Sequence, residues 1–323
     1  MPAVSTRPTS PTQAAGVGRR AAPAIEISSL TKKYGRKVAL NDLNLTVQPG
    51  EVFGFLGPNG AGKTTTVKIL LGLVRPTSGQ ARIFGSPSTD PEARRGVGYL
   101  PENFRFQEWL TGEELLELHA DLADMPTADR ARRIPEVLRL VGLEDRGEER
   151  IRTYSKGMMQ RIGLAQAIIH RPRLVLLDEP TSALDPIGRR DVRDLIRSLS
   201  ASGMTVFLNS HLLSEIEMVC DRVAIVDRGR VVQSGRMDDL IQGEPELSIS
   251  VDRVDSELLD LLRRFGKVLA SDRSTVRLAV EEASVAAVIA DLLPRAGYRV
   301  FALTPVQQSL EDIFISLVER GEP

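Results

Sequence analysis

Gly57-Pro58-Asn59-Gly60-Ala61-Gly62-Lys63-Thr64 carries the residue types, at the spacing, that hold a phosphate. Three glycines let the backbone curl so that several N–H groups point at one anion, where a Cβ would collide. Lys63 supplies a compact positive charge for β and γ phosphates. Thr64 offers a hydroxyl to a hard cation such as Mg2+. A helix starting there turns its positive end towards the same anion. The plainer alternative is a Gly-rich turn.

Other candidates stand further along. Arg173-Leu174-Val175-Leu176-Leu177-Asp178-Glu179 is an apolar run ending in two acids. Such a run suits a parallel strand buried on both faces, and ligands bind at the carboxyl ends of those strands. Asp178 is then placed to hold Mg2+, directly or through water, and Glu179 to orient an attacking water; solvated acids at a strand end are the plainer alternative. A second apolar run, Thr205-Val206-Phe207-Leu208-Asn209, ends at Ser210-His211. His211 can reach a γ-phosphate from there, although a lone histidine is more often a satisfied polar residue. In Tyr154-Ser155-Lys156-Gly157-Met158, Ser155 is a good N-cap. Its hydroxyl, the Gly157 N–H and the helix dipole also favour an anion. Tyr34 offers an aromatic face that stacks on a nucleobase or packs on protein.

These residues need elements to position them. Glu51 to Leu56 reads as a buried strand, and Val67, Leu70 and Leu71 mark one face of a helix. Strand, glycine loop and helix is the setting that a phosphate loop requires. Ile25 to Tyr34 and Val38 to Val47 read as strands, with Pro49-Gly50 as a turn. Val97 to Pro101 is a short strand ending at the acid Glu102. A mostly helical region follows to about His170, opened by a capping box of Thr111 and Glu114. Phe104, Phe106 and Trp109 either pack that region or dock a partner. Val223–Val226 and Arg230–Gln233 form a hairpin. Beyond Gly243-Glu244-Pro245 the order up to residue 304 is βαββαβ, the ferredoxin-like arrangement, followed by a helix over 309–319. That last part carries no catalytic cluster and suits dimerisation or regulation.

Composition bounds the rest. The 323 residues are enough for about two domains, and 42% hydrophobic residues supply a sizeable core. The net charge of −1, with basic residues spread along the chain, gives no electrostatic case for nucleic acid. Cys220 is the single cysteine, which points to a reducing compartment. No apolar run approaches about 18 residues, so any membrane role comes through a partner. Residues 1–24 hold three arginines and no acid among Ala, Pro, Thr and Ser. We expect a disordered tail there rather than an organelle-targeting peptide.

Five motifs stand in order at 57–64, 98–102, 154–158, 173–179 and 210–211. Together they resemble the nucleotide-binding subunit of ATP-binding cassette (ABC) transporters over about residues 25–242, and the 154–158 signature separates that family from other phosphate-loop proteins. The segment Ser309-Leu310-Glu311-Asp312-Ile313-Phe314 resembles an extension found in many bacterial exporter-type ATPases. The resemblance implies an α/β cassette with a RecA-like core, an antiparallel β subdomain and a helical subdomain, over residues 25–243. Residues 244–323 are then a small α+β accessory domain. It implies ATP and Mg2+ as ligands, a homodimer that sandwiches two nucleotides, and a separate permease, with the chain peripheral on the cytoplasmic face of the membrane. It gives Tyr34 to adenine, the 57–64 loop with Lys63, Thr64 and Thr65 to phosphate and Mg2+, and Asp178 to Mg2+. Glu179 becomes the general base, His211 the γ-phosphate contact, and Ser155 and Gly157 the contacts to the partner's nucleotide. Ser182-Ala183-Leu184-Asp185 resembles the loop that communicates across the dimer.

Two departures stand out. Glu102 occupies the usual Gln position; it still offers Mg2+ or water an oxygen but adds charge. In the signature, Tyr154, Lys156 and Met158 replace three usual residues, while Ser155 and Gly157 remain. Two rival readings follow from the same loop. A soluble ABC ATPase of translation or repair usually has two cassettes or a long coiled-coil insertion, whereas each motif occurs once here and 103–153 is short. A phosphotransferase has no need of 154–158 or His211.

Overall fold

The computed structural model describes residues 22–182, 184–241, 245–282, 284–306 and 309–320. In chain order, β1 (Ile25–Tyr34), β2 (Lys37–Val47) and β3 (Val52–Leu56) lead into α1 (Lys63–Leu70), then β4 (Ser78–Ile83), β5 (Ser86–Pro87), α2 (Pro91–Arg94) and β6 (Val97–Leu100). The helical region holds α3 (Gly112–Leu122), α4 (Thr127–Leu140) and α5 (Lys156–Ile168). β7 (Leu174–Asp178), α6 (Pro186–Ala201), β8 (Thr205–Asn209), α7 (Leu213–Val219), β9 (Arg222–Asp227), β10 (Arg230–Arg236) and α8 (Met237–Ile241) follow. The last stretch is β11 (Glu246–Val251), α9 (Ser256–Leu262), β12 (Gly266–Ser271), β13 (Thr275–Val280), α10 (Val285–Arg295), β14 (Val300–Val306) and α11 (Leu310–Arg320).

Three sheets organise these elements. The central one runs β10-β9-β3-β8-β7-β6. Its β9-β3-β8-β7-β6 neighbours pair in parallel and β10 closes it antiparallel. All five residues of β3, β7 and β8 are buried, as their unbroken apolar runs require. Alternation still decides which face each side chain serves. Leu174, Leu176, Phe53, Phe55 and Phe207 join one core with α1 and the antiparallel sheet β2-β1-β4-β5. Val175, Leu177, Val206 and Leu208 face the other core, shared with α5, α6 and α7. The third sheet, β12-β13-β11-β14, is antiparallel and covers its own core of Leu247, Ile249, Leu278, Ile289 and neighbours.

The βαββαβ order of the last stretch agrees with the sequence reading, and the Thr111–Glu114 capping box is present with both reciprocal bonds. Several elements were not anticipated, among them β4, α6 and α7. β4, a stretch to which the sequence reading assigned no element, pairs antiparallel with β1. α6 is capped by Asp185, whose carboxylate accepts from the Gly188 N–H at 2.8 Å, with Pro186 in the first turn. The aromatic cluster divides. Phe104 and Phe106 lie 4.8 Å apart, ring to ring, and pack on the helical core, while Trp109 is 69% exposed. Ala24, at the edge of the expected tail, is fully buried; its N–H donates to the Val47 carbonyl and its own carbonyl accepts from Phe84 N–H. Residues 1–21, together with Ala183 and the Gly243-Glu244 part of the expected boundary, lie outside the described residues.

Candidate nucleotide site

The phosphate loop joins β3 to α1 at the carboxyl end of the central sheet. Its glycines are required by geometry. At Gly57 a Cβ would run into the Val226 carbonyl oxygen. Gly62, the residue before α1, has φ of 108° in the left-handed region, and a Cβ there would stand 2.7 Å from the Ala39 carbonyl oxygen. The Lys63 ammonium folds back over the loop, donating to the carbonyls of Gly57 at 2.6 Å and Pro58 at 3.4 Å. Burial lowers its pKa below the ordinary lysine range, against the opposing pull of Glu179, Asp178 and Glu102. A cleft of about 220 Å3 opens here, and Tyr34, Pro58, Asn59, Gly60, Gly62, Lys63, Thr64 and Thr65 are among its lining residues. Ala61 is buried behind it. The structure therefore brings the aromatic ring and the loop to one cleft.

The acids arrive from the neighbouring strands. Asp178 ends β7 and pairs in register with Asn209 at the end of β8. Asp178 is 3% exposed, and the Asn209 amide donates to its Oδ1. Burial raises the Asp178 carboxyl above the usual range; the Asn209 donor and Lys63 oppose this, and the Glu102 and Glu179 charges add to it. Glu179 follows with φ of 54°, uncommon for a residue other than glycine. Its N–H donates to the Asn209 carbonyl at 2.8 Å. Its Oε2 accepts from the Ser210 hydroxyl at 3.2 Å and lies 2.8 Å from His211 Nδ1. Glu102 is exposed just beyond β6, where its charge acts on both Lys63 and Asp178. Tyr99, on β6, has its phenol pushed up to about 12 by burial and by these two acids. Thr64, Asp178 and Glu102 offer only hard oxygen donors, the set that suits Mg2+, and the buried Asn209 Oδ1 has no partner among the described residues.

Ser155 and Gly157 are elsewhere. Ser155 caps α5, its Oγ accepting from Met158 N–H at 3.2 Å. With Lys156, Gly157, Leu184 and Asp185 it lines a separate cleft of about 590 Å3 that shares no lining residue with the phosphate-loop cleft. Within one chain the two halves of the expected site do not meet.

A family model described as "ABC transporter" matches residues 40–182. Over 287 residues the chain is 42% identical to an uncharacterized ABC transporter ATP-binding protein of Nostoc sp., covering 88% of this chain and 84% of that protein. This chain belongs to the ABC transporter ATP-binding proteins. It is also 35% identical, over 92% of its length and 91% of the other's, to the Nod factor export ATP-binding protein I of Cupriavidus pinatubonensis. Among solved structures it resembles the dimeric, post-hydrolysis ABC cassette MJ0796 bound to ADP and Pi, with a TM-score of 0.60 and 27% identity, covering 66% of this chain and 98% of that one. The ABC subunit described here is accordingly an ATP-binding ATPase. ATP-binding subunits of this family work with transmembrane permease partners. Among the described residues no helix is long and apolar enough to cross a membrane.

Two supports of this ABC site were not singled out from sequence: Asn209, which donates to Asp178, and Ser210, which donates to Glu179. The usable signal was a polar pair ending an apolar run that must lie beside β7.

Proposed function

We propose that this chain powers a separate transmembrane permease from the cytoplasmic face of the membrane, as a homodimer, and that the transport is export. The observation that carries the dimer is the separation of the two clefts: the phosphate loop and the signature face different solvent spaces, so only a second copy can bring Ser155 and Gly157 to a nucleotide on Lys63. The solved neighbour's dimeric state and the export assignment of the Nod factor relative support the same reading. So does the exporter-like segment 309–314. Residues 25–243 form the ATPase unit and 244–323 the accessory unit.

The positions support the following roles. Tyr34 stacks on the base. The 57–62 backbone and Lys63 hold the β and γ phosphates, where an arriving phosphate replaces the Gly57 and Pro58 carbonyls as the ammonium's partner. Thr64, Thr65, Asp178 and Glu102 surround the place for Mg2+, which when bound neutralises charge on the phosphate oxygens. Glu179, held by Ser210 and His211, orients and deprotonates the attacking water. His211 lies at the exposed edge, with a 61% exposed side chain, where it meets the γ-phosphate as the dimer closes. Closing passes strain to the permease through the 102–120 surface, where Trp109 stands free of the core.

Affinity capture of the chain from gently solubilised membranes of its own cell, followed by mass spectrometry, tests this reading. A co-purifying polytopic membrane protein is the expected result. Recovery only in the soluble fraction, with ribosomal or DNA-associated proteins, overturns the transport role while leaving the ATPase in place.

A further inference from the structure

The helix that closes the chain packs on the helix that follows His211. α7 starts at Leu213, two residues after His211. Along α11, positions 310, 313, 314 and 317 form one apolar stripe at helical spacing. Leu310 is fully buried and Ile313 is 8% exposed, and both belong to the same core as Ile216 and Val219 of α7. At the start of α11 the Leu310 N–H donates to Glu217 Oε2 at 3.2 Å. That carboxylate satisfies one of the backbone donors that every helix start leaves open. α7 is also fixed from α6, where Arg193 pairs with Glu215 at 2.7 Å and the Arg197 guanidinium donates to the Met218 carbonyl at 2.7 Å. Against β3 it presses Ile216, which a Cβ on Gly54 would meet at 2.9 Å.

We propose that α11 positions His211: its docking on α7 through Glu217, Leu310 and Ile313 sets the seat of the His211–Glu179 pair, so that the accessory unit governs the hydrolytic step. α7 is short and wedged between packed elements, so it shifts as a body rather than bending. Residues 210–212 are the only link between its first turn and β8, and the Leu212 N–H donates to the Ser210 hydroxyl that itself holds Glu179. A shift of α7 therefore reaches the Glu179 carboxylate through two side chains. Only residues 307–309 separate α11 from β14, which ties α7 to the third sheet. Glu217, Leu310 and Ile313 are positioning residues and touch no nucleotide. The inference rests on the reading of His211 and Glu179 as the hydrolytic pair.

The test measures kcat, KM and ATP affinity in the full chain for Glu217→Ala, Glu217→Gln and Ile313→Ala, each alone and with His211→Ala. Glu217→Ala and Ile313→Ala should lower kcat about fivefold, a fraction of the loss that a 1 Å misplacement can cause, with ATP affinity nearly unchanged, read below the lowered melting temperature that truncating the buried Ile313 brings. Glu217→Gln keeps an oxygen acceptor and should restore most of the rate. With His211→Ala present, neither variant should lower kcat further. Unchanged kcat in Glu217→Ala and Ile313→Ala, when His211→Ala alone is impaired, overturns this inference and leaves the hydrolytic pair standing. Losses that multiply with that of His211→Ala, or that fall equally on ATP affinity, also overturn it. Full activity in His211→Ala overturns the hydrolytic pair and this inference with it.

Discussion

His211 Nδ1 stands 2.8 Å from Glu179 Oε2, and the neighbouring Ser210 hydroxyl donates to that same oxygen at 3.2 Å. The residues just after β8 thus aim the carboxylate that follows β7. Glu179 keeps an uncommon positive φ to be held there, strain of the kind stored at functional sites. Replacing its carboxylate by an amide keeps the shape and removes the base. Glu179→Gln should bind ATP with near wild-type affinity and hydrolyse it about 100-fold more slowly or worse. Single-turnover hydrolysis beside a nucleotide titration checks this, and wild-type turnover would remove Glu179 from the role of base.

Asp178 makes a pH prediction. Burial raises its carboxyl in the folded chain, with Glu102 and Glu179 adding to the rise and the Asn209 donor and Lys63 opposing it. A carboxyl raised on folding costs stability when ionised, so stability is lost as pH rises through the folded-state value. Asp178→Asn removes that loss. Without nucleotide or Mg2+, the variant should melt above wild type at neutral pH. The gap should close as pH falls towards about 4, where an ordinary aspartate takes up its proton. Melting curves across that range decide it, and a gap independent of pH contradicts the assigned cause.

Asn209 donates to Asp178 while its own Oδ1 is buried without a partner among the described residues. Asn209→Val strips a donor from a buried carboxylate and should cost about 1–3 kcal/mol in urea unfolding. Joined to Asp178→Asn, the same change should cost clearly less, because the stranded charge is gone. Additive losses would place Asn209 outside the Asp178 pair.

Tyr34 is 46% exposed at the mouth of the phosphate-loop cleft, with the Lys32 ammonium 4.9 Å over its ring. Tyr34→Ala should weaken ATP binding by about 1–3 kcal/mol, the range for lost base stacking, while Tyr34→Phe keeps it. A fluorescent-nucleotide titration separates them. Equal loss in both would mean that the hydroxyl, not the ring face, matters.

What the sequence made legible was local. Gly57, Gly62 and Lys63 declare the phosphate loop through spacing, because a backbone nest forms within eight residues. The runs ending at Asp178 and Asn209 declare buried parallel strands through unbroken apolar character. That Asn209 bonds Asp178 depends on β7 and β8 lying side by side, a pairing of positions 31 apart in the chain. The stripe of Leu310, Ile313, Phe314 and Leu317 says that α11 is amphipathic and nothing about its partner, which proved to be the cassette core rather than the third sheet. Phe104, Phe106 and Trp109 look alike in sequence, and only packing divides them into two half-buried rings against the core and one exposed ring.

The central claim is that one working site takes Lys63 from one chain and Ser155 from another. Light scattering on Glu179→Gln with ATP and Mg2+ tests it most directly. The account predicts twice the chain mass with nucleotide, the single-chain mass without it, and loss of the larger species when Ser155→Arg is added. A single-chain mass in saturating ATP, or a dimer indifferent to Ser155→Arg, would contradict a site shared between two copies.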